Sequence, residues 1–487
     1  MRQSIESAAP GRRSRSLLGA LLLAGFGYSL VQSLVVPALP TLQHRLHTTQ
    51  TGVTWVFTAF MLASAVALPL AGRLGDMFGR RRILLGALFA LSLGILVAAL
   101  TSSLEVMVAA RALQGIGGAI FPLAFGIIRD ELPREKVAHG TSWMSAVLGG
   151  GGVIGIVLAG PILDHLSYHW LYWLPLVVTT ASLVIAYIVV PARPGHASAG
   201  TGVGWWAAPL LAGWLVCLLV AVSEGPHWGW RSAQVLGLFA LAVLSFASWV
   251  IVEGRARVPL VDLRMQRIRG VWTTNAVAVL SGWGMYSAFV LVPEYVEAPD
   301  RAGGFGATVA AAGIYLVPWT AAVAAASSLS GRLSTRFGSR VPLVIGTAGS
   351  TVGFLWLIFA HDDPWQVYLA ATILGAGTGF TFSSMVNLVI ESVPSEQTGV
   401  ATGMNILMRT IGGTVGTQLA ATVLAATLSG DGLTTRRGFE ITFGIGAAML
   451  ALATVAALAA PGDRRRTGRR VAPSAPVTLS ANSPSAG

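Results

Sequence analysis

Charged residues and cysteine are scarce in this chain of 487 residues. Only 11% of the residues are Asp, Glu, Lys or Arg, whereas 54% are hydrophobic, and the mean hydropathy is +0.69. A soluble protein of this length would have too little polar surface with such a composition. Cys217 is the single cysteine, which excludes an intrachain disulfide and a cysteine metal site. The composition therefore predicts an integral membrane protein.

Motifs for ATP hydrolysis and for catalysis are also missing. The chain has no Gly-x4-Gly-Lys-Ser/Thr loop, and its glycine-rich stretches at 115–118 and 375–379 lie inside hydrophobic segments. No nucleophile with a base is apparent, and the eight histidines show no convincing ligand pattern. We therefore expect neither an enzyme nor an ATP-driven pump, and we expect no cofactor and no metal site.

Long apolar runs, separated by charged or turn-forming loops, fill most of the sequence. A transmembrane helix needs roughly 17–25 such residues. Fourteen runs meet this need, centred near residues 27, 61, 93, 116, 150, 180, 214, 243, 282, 318, 350, 377, 412 and 449. The sequence therefore predicts fourteen transmembrane helices, with both ends of the chain on the same side of the membrane.

The net charge of +12 reflects membrane topology and not nucleic-acid binding. When the fourteen spans are laid out, most of the 32 Lys and Arg residues fall on one side of the membrane. Basic residues accumulate in cytoplasmic loops, according to the positive-inside rule. We therefore expect a multi-pass protein of the cell membrane, surrounded by the lipid bilayer and with both termini in the cytoplasm.

Two copies of one pattern lie about 260 residues apart and run in the same direction relative to their loops. The matching positions include Gly72 and Gly331, Gly79 and Gly338, Pro133 and Pro394, and Gly155 and Gly416. Many matches at a nearly constant offset indicate a duplicated unit. A parallel repeat of membrane helices is an architecture of secondary transporters.

The length of the repeat also predicts the domain organisation. Six helices with short loops occupy 17–190, so an offset of about 260 residues leaves room for two further spans between the copies. The predicted segments are a basic cytoplasmic N-terminal segment (1–16), a six-helix bundle (17–190), a linker with an extra transmembrane hairpin (191–270), a second six-helix bundle (271–460) and a disordered cytoplasmic tail (461–487).

Two motifs at these positions resemble a known family. The loop from Gly72 to Arg82 resembles the signature loop between the second and third helices of the major facilitator superfamily. Arg111 and the residues that follow it resemble the fourth-helix motif of that family, and six, two and six helices are similar to its fourteen-span drug/proton antiporter branch. The resemblance covers 17–460 and implies an all-α major facilitator fold. It also implies a part in proton coupling for Arg111.

The chain departs from the antiporter pattern in two places. Ile156 stands where the fifth-helix motif has a proline after Gly155, and Val31 stands where an acidic residue is common in the first helix. Both departures weaken the prediction of drug/proton antiport, but neither affects the prediction of transport.

The signature loop has a physical interpretation of its own. Glycines allow tight turning and close approach at a helix end, and an aspartate can accept hydrogen bonds from helix N-terminal amides or pair with a neighbouring arginine. We hypothesise a conformational latch that ties the two halves together at the cytoplasmic side and stabilises the outward-facing state. The alternative is a basic anchor without a conformational role. The latch would comprise Gly72, Asp76, Gly79, Arg80 and Arg81.

Proton coupling usually needs a charged group within or near the spans. A cation inside a span costs roughly 2.5–3.5 kcal/mol on insertion scales, so Arg111 should face the bundle interior or water, unless it snorkels outward. No carboxylate lies near the middle of a span. Glu294 and Glu297, one turn apart at the outer end of the ninth helix, are the best carboxylate candidates for proton coupling. The alternative is that these two glutamates are interfacial charges without a role in coupling.

Polar residues and glycines inside the spans complete the candidate site. Polar side chains in a transporter either line the substrate cavity or tie helices together, and small residues let helices pack closely. The predicted cavity residues are Tyr28, Gln32, Gln114, Asn387, Asn405 and Arg409, and the predicted packing residues are Gly115, Gly118, Gly152 and Gly155.

We predict a monomeric secondary transporter that exports small amphipathic or toxic compounds in exchange for protons, by alternating access. The expected partners are protons and a small amphipathic substrate, for which a cation is one option. Two alternatives stay open. One is an exporter dedicated to a single endogenous metabolite, and the other is a membrane sensor that does not transport. A sensor would require a soluble signalling domain, and no loop is long enough to supply one.

Overall fold

The computed structural model describes residues 10–35, 38–193, 207–256, 259, 261–299, 303–428 and 434–462. In these ranges the backbone is almost entirely helical, apart from short loops and an isolated antiparallel bridge between Leu428 and Thr434. The first nine residues, most of the predicted linker loop and the tail from residue 463 lie outside the described residues. The expected disorder of the tail therefore stays a prediction.

Fourteen helices of the described chain are long enough to cross a bilayer, and we number them in chain order. They are α1 (Pro10–Leu34), α2 (Gln50–Phe78), α3 (Arg80–Leu100), α4 (Leu104–Glu131), α5 (Arg134–His165), α6 (Trp170–Val189), α7 (Ala207–Trp228), α8 (Ala233–Arg255), α9 (Arg269–Glu297), α10 (Val317–Phe337), α11 (Arg340–Phe359), α12 (Pro364–Ser392), α13 (Thr398–Ala426) and α14 (Arg436–Leu458). Short helices at Leu39–Arg45 and Val309–Tyr315 precede α2 and α10.

Thirteen of these helices qualify as membrane spans by length and composition, and α13 is the exception. It has 29 residues, but threonine and glycine make its sequence less apolar. Because α13 packs against α2 and α9, its small residues meet other helices. The predicted all-α membrane fold is confirmed.

The duplicated loops adopt the same sharp turn. Between α2 and α3 the chain turns at Gly79 with φ +96°, and between α10 and α11 it turns at Gly338 with φ +82°. A positive φ is readily adopted only by glycine. The repeat in the sequence is thus also a repeat in the backbone.

The helices form two bundles, each with its own core, and Val386 and Ile406 of the second bundle extend the first core. Helices α1–α6 enclose the first core, and α9–α14 enclose a second group of buried residues. The bundles meet where α2 packs against α13 and where α5 packs against α10 and α12. Helix α12 is the most buried span, with 83% of its apolar window inside the protein, so its position is central.

The extra hairpin of α7 and α8 lies at the periphery. Helix α7 packs against both α2 and α13, where Trp214 shares a core with Met404 and Met265. Only 17% of the apolar window of α8 is buried. The hairpin therefore covers the outside of the contact between α2 and α13 and presents α8 to the lipid.

Candidate functional site

We call one end of the molecule the basic end, because arginines surround the loops after α2, α4 and α10 there. A depression of about 1580 Å³ at this end is lined by residues of both bundles. Its lining includes Arg80, Arg129 and Arg134 of the first bundle and Arg269 and Glu391 of the second. The ends of the two bundles therefore meet around a strongly charged surface.

Two close backbone contacts join the bundles at the basic end. A Cβ atom on Gly72 would overlap the carbonyl group of Gly399, with its carbon 2.5 Å away. A Cβ atom on Gly331 would lie 3.1 Å from the carbonyl oxygen of Ala138. The internal repeat relates the two contacts, because Gly72 corresponds to Gly331 and Ala138 to Gly399. Glycine is needed for such an approach.

Asp76 and Arg80 form a buried ion pair beside these contacts. The Nε and Nη2 atoms of Arg80 donate to Oδ1 of Asp76 over 3.0 and 2.7 Å. Nη1 of Arg80 donates to the carbonyl of Gly126 over 2.9 Å and to Asp130. Asp76 is 4% exposed. One guanidinium is thus held by two carboxylates, which offsets the desolvation of the buried charges.

Arg80 and Arg129 also reach across to the second bundle. Nη2 of Arg80 donates to the carbonyl of Ser395 over 2.7 Å. Arg129 donates to the carbonyls of Val393 (2.8 Å) and Pro394 (3.1 Å) and to the hydroxyl of Thr398. These carbonyls follow the C-terminus of α12, where the helix dipole favours cations. The two arginines thus tie the first bundle to the loop between α12 and α13.

Arg81, although predicted as part of the latch, lies elsewhere. Its Nη2 atom donates to the carbonyl of Tyr187 over 2.6 Å, and its guanidinium lies 5.2 Å from the centre of the Tyr187 ring. The residue therefore attaches α3 to α6 inside the first bundle. Of the two possible partners for Asp76, the structure selects Arg80.

The second copy of the loop has a weaker counterpart of this pair. Oγ of Ser339 donates to Oε1 of Glu391 over 2.8 Å. In the repeat, Ser339 corresponds to Arg80 and Glu391 to Asp130. Both halves therefore have a hydrogen bond to an acidic residue at this position. The donor is the guanidinium of Arg80 in the first half and the hydroxyl of Ser339 in the second.

A second polar connection joins α5 to α12. The hydroxyls of Ser142 and Ser383 are 2.6 Å apart, and the hydroxyl of Thr141 donates to Oδ1 of Asn387. Asn387 is buried, with 3% of its surface exposed. The structure thus places this predicted cavity residue in a contact between the bundles.

Arg111 lies inside the first bundle and is completely buried. Its Nε atom donates to the carbonyl of Val56 over 3.0 Å, and Nη1 donates to the carbonyl of Val31 (3.2 Å) and to Gln114 (2.7 Å). The guanidinium lies 4.3 Å from the centre of the Phe60 ring. Arg111 thus ties α4 to α1 and α2 and does not snorkel to the surface.

Neighbouring candidates also make contacts within the first bundle. Nε2 of Gln114 donates to the carbonyl of Gly94 over 2.9 Å. The hydroxyl of Tyr28 is 2.7 Å from that of Ser64, and its ring stacks on Phe60 at 5.5 Å. Gln32 is half-buried on α1. Tyr28 and Gln114 therefore connect helices in this conformation.

The polar candidates of α13 differ from one another. Nδ2 of Asn405 donates to the carbonyl of Thr274 (3.1 Å) and to Oδ1 of Asn275 (3.0 Å), which fixes α13 to α9. Arg409 is 2% exposed, and its guanidinium lies 4.1 Å from the centre of the Phe382 ring. Its Nε and Nη1 atoms have no hydrogen-bond partner among the described residues.

Three of the four predicted packing glycines lie in close contacts. A Cβ atom on Gly115 would lie 2.5 Å from the carbonyl oxygen of Phe60, and one on Gly155 would lie 3.1 Å from Cβ of Ser33. A Cβ atom on Gly118 would overlap Ser64. Gly152 is different, because the nearest atom to its Cβ position is 4.0 Å away.

Glu294 and Glu297 lie at the end of α9 opposite to the basic end. Glu294 is exposed and Glu297 is half-buried. Two acids that the sequence did not single out, Glu224 and Glu253 in the extra hairpin, are buried at 1% and 2% exposure. Each lies within four residues of a helix end, where an exposed interfacial charge is expected, so nothing in the sequence distinguishes them. In the described ranges, no group of three His, Cys, Asp or Glu residues is arranged to hold a metal ion.

A buried histidine lies in the loop between α11 and α12, at the end opposite to the basic end. The hydroxyl of Tyr295 donates to the carbonyl of His361 over 2.8 Å. Nε2 of His361 is 3.9 Å from Oε1 of Glu440, which also pairs with Arg436 over 3.1 Å. Burial, together with the charge of Arg436, lowers the pKa of His361 below its usual value.

Comparisons with known proteins agree with this architecture. A model described as Major Facilitator Superfamily matches residues 21–417 and 274–483. The chain is 29% identical to the tetracenomycin C resistance and export protein of Streptomyces glaucescens, over 83% of this chain and 76% of that protein. It is also 29% identical to multidrug resistance protein 3 of Bacillus subtilis, over 76% of this chain and 72% of that protein.

A solved structure shows the same fold. The crystal structure of the human organic anion transporter MFSD10 matches with a TM-score of 0.65 at 16% sequence identity, and the match covers 91% of this chain and 99% of that one. The family match spans both bundles and the hairpin between them. This chain is therefore a multi-pass membrane protein that belongs to the Major Facilitator Superfamily of transporters.

Proposed function

We propose that this protein exports small amphipathic organic compounds from the cytoplasm, by alternating access between its two bundles. One observation carries the proposal: Arg80 and Arg129 tie the bundles together at one end through the backbone carbonyls of Val393, Pro394 and Ser395. The positive-inside rule assigns that end to the cytoplasm. The conformation would then be closed toward the cytoplasm, as export requires after substrate is loaded.

The names of the relatives support export as the direction of transport. The first bundle and the second bundle align with proteins named for resistance and export, at 29% identity. The extra hairpin and the two signature motifs favour the fourteen-span drug/proton antiporter branch. In this proposal the protein acts as a monomer in the cell membrane, with both termini in the cytoplasm.

The latch would open and close by breaking and remaking the contacts of Arg80 and Asp76 with the second bundle. In the closed form its guanidinium satisfies Asp76, Asp130 and the carbonyl of Ser395 together. When the bundles separate at this end, Arg80 loses its bond to Ser395 and Asp76 moves away from Gly399 of α13, while the pair with the two carboxylates stays inside the first bundle. The cost of opening is therefore limited to the contacts between bundles, which suits an equilibrium between two states.

Proton exchange is the proposed driving force. Arg111, Glu294 and Glu297 are the candidates for coupling, and Asp76 is a further carboxylate whose charge controls the latch. Arg111 is surrounded by carbonyls and Gln114, so it would act by holding α1, α2 and α4 in register. The exposed position of Glu294 gives it access to protons outside the cell.

Inverted membrane vesicles from a pump-deficient host test the proposal with two readouts. The first is uptake of a fluorescent amphipathic compound, and the second is dissipation of an imposed pH gradient by a panel of unlabelled compounds. Gly72→Leu should abolish both, because a side chain at this position blocks closure against Gly399. Gly86→Leu is the matched control, because no atom lies within 4 Å of its Cβ position.

Each combination of results has one meaning. Uptake with dissipation of the gradient, both lost in Gly72→Leu alone, supports proton-driven export. Uptake without dissipation contradicts proton exchange and leaves export standing. Dissipation by one compound of a broad panel favours a dedicated exporter. Neither signal from a folded protein in the membrane overturns the proposal and favours a sensor that does not transport.

A further inference from the structure

The two arginines buried in the spans have different surroundings. Arg111 donates to the carbonyls of Val31 and Val56 and to Gln114. Arg409 is almost as buried, but two of its donor atoms, Nε and Nη1, find no acceptor in the described part of the chain, whereas Arg111 leaves Nη2 alone without one. Buried guanidinium donors are normally satisfied, because leaving them without partners is costly. Arg409 is therefore poised to receive an acceptor from another molecule.

Arg409 lies near the middle of α13. It is eleven residues from the start of α13, which corresponds to about 16 Å along a helix at 1.5 Å per residue. Its guanidinium covers Phe382, whose ring also lies 3.4 Å from the Cβ position of Gly149 on α5. Because α5 belongs to the first bundle and α12 to the second, Arg409 and Phe382 lie beside the interface between bundles.

The protein itself supplies no anion at this depth. In the described helices, each Asp and Glu lies within four residues of a helix end. The ring of Tyr286 on α9 packs against Gly413 of α13, one helical turn from Arg409. The middle of the molecule thus presents arginine and aromatic hydroxyl groups without a counter-ion.

From this arrangement we infer that Arg409 binds the negatively charged group of an amphipathic aromatic substrate. A carboxylate or sulfonate matches the guanidinium fork with two parallel hydrogen bonds. Phe382 holds the guanidinium through a cation–π contact while the site is empty of substrate, and it supplies an aromatic surface to the substrate body. The inference deepens the proposed export function. It selects an anionic substrate, whereas the sequence left a cation as one option.

Three probes of one shape test the charge preference directly. They are 2-naphthoate, 2-naphthamide and 2-naphthylmethylammonium, titrated by calorimetry into the full-length protein in lipid nanodiscs at pH 7.5. The expected result is binding of the naphthoate at least about tenfold tighter than the amide, with the ammonium weakest. Arg409→Gln should remove this difference while the amide affinity stays the same. Arg82→Gln, which removes an exposed guanidinium on α3, is the control and should keep the preference.

The unchanged amide affinity also reports that Arg409→Gln is folded. If that variant does not fold, Arg409→Lys tests the inference instead. Its ammonium group keeps the positive charge but cannot form the two parallel hydrogen bonds of the guanidinium. Its naphthoate affinity should fall several-fold while the amide affinity is kept. Equal or weaker binding of naphthoate by the unmodified protein overturns the inference, as does a preference that survives in Arg409→Gln. Binding needs no ion gradient, so failure of export leaves this result interpretable.

Discussion

Arg80 of the first bundle donates a hydrogen bond of 2.7 Å to the carbonyl oxygen of Ser395 in the second. The same guanidinium is held from the other side by Asp76, 2.7 Å away. A carboxylate buried inside one bundle thus orients the cation that contacts the other. The charge of Asp76 should therefore control how often the bundles separate at the basic end.

Asp76→Asn should open this end more often, because an amide holds Arg80 less strongly than a carboxylate. Loss of one charge-assisted hydrogen bond is worth roughly 1.5–3 kcal/mol, so we expect about tenfold or greater acceleration of alkylation at the interface. The measurement is the alkylation rate of Ser142→Cys in a Cys217→Ser background. Glu135→Gln removes an exposed acid at the same end and should leave the rate unchanged. An unchanged rate in Asp76→Asn would contradict the latch.

Arg111→Gln should destabilise the first bundle and not merely slow proton exchange. The substitution removes donors to Val31 and Val56 and leaves their carbonyls buried. We expect a loss of roughly 2–3 kcal/mol of stability, seen as a lower thermal midpoint in detergent. Arg82→Gln, on the exposed surface of α3, is the control. A normal midpoint with lost gradient coupling would show that Arg111 acts in coupling alone.

The two glycines of α5 should respond differently to alanine. Gly155→Ala brings its new methyl group against Ser33 and the backbone nitrogen of Leu34, and it should cost roughly 1–3 kcal/mol. Gly152→Ala meets open space and should be neutral or stabilising by up to about 1 kcal/mol, because alanine favours helix. Thermal unfolding of the two single variants checks this pair. Equal effects would mean that α5 packs differently from the structure.

His361 should make the protein less stable in acid. Its pKa is lowered by burial and by Arg436, so the folded protein holds the neutral ring while the unfolded chain takes up a proton more easily. The stabilising effect of the neutral ring is present above the unfolded pKa of about 6.5, and it is lost as the pH falls below that value. The thermal midpoint of the unmodified protein should be lower at pH 5.5 than at pH 7.5.

The control for this pH effect is His361→Gln, which cannot titrate. Its thermal midpoint should fall less over the same pH range, even if its midpoint at pH 7.5 is lower. Equal pH slopes for the two proteins would assign the acid sensitivity to groups other than His361.

The fold could be predicted because its signals are distributed over the whole chain. Each span has its own hydrophobic run, and the repeat that relates Gly72 to Gly331 indicates that the two bundles have the same architecture. Even α13, whose composition is less apolar than that of a typical span, was counted among the fourteen apolar runs. The hairpin of α7 and α8 followed from the length of the offset.

The contacts of individual side chains were less predictable. Arg80 and Arg81 are neighbours with the same charge, and only the turn at Gly79 determines which one faces Asp76. Arg129 was missed, because a basic residue at the cytoplasmic end of a helix is explained equally well by topology. A carbonyl partner such as Ser395 leaves no signal in the sequence.

A disulfide between the bundles tests the central claim most directly. Ser142→Cys with Ser383→Cys, in a Cys217→Ser background, joins α5 to α12 where the hydroxyls are 2.6 Å apart. Ser330→Cys with Ser384→Cys is the control, because these hydroxyls are 2.9 Å apart within the second bundle. Oxidation should stop export in the first protein, with recovery after reduction, and should spare the control. Export that continues at the same rate through a fully cross-linked interface would contradict alternating access between these bundles.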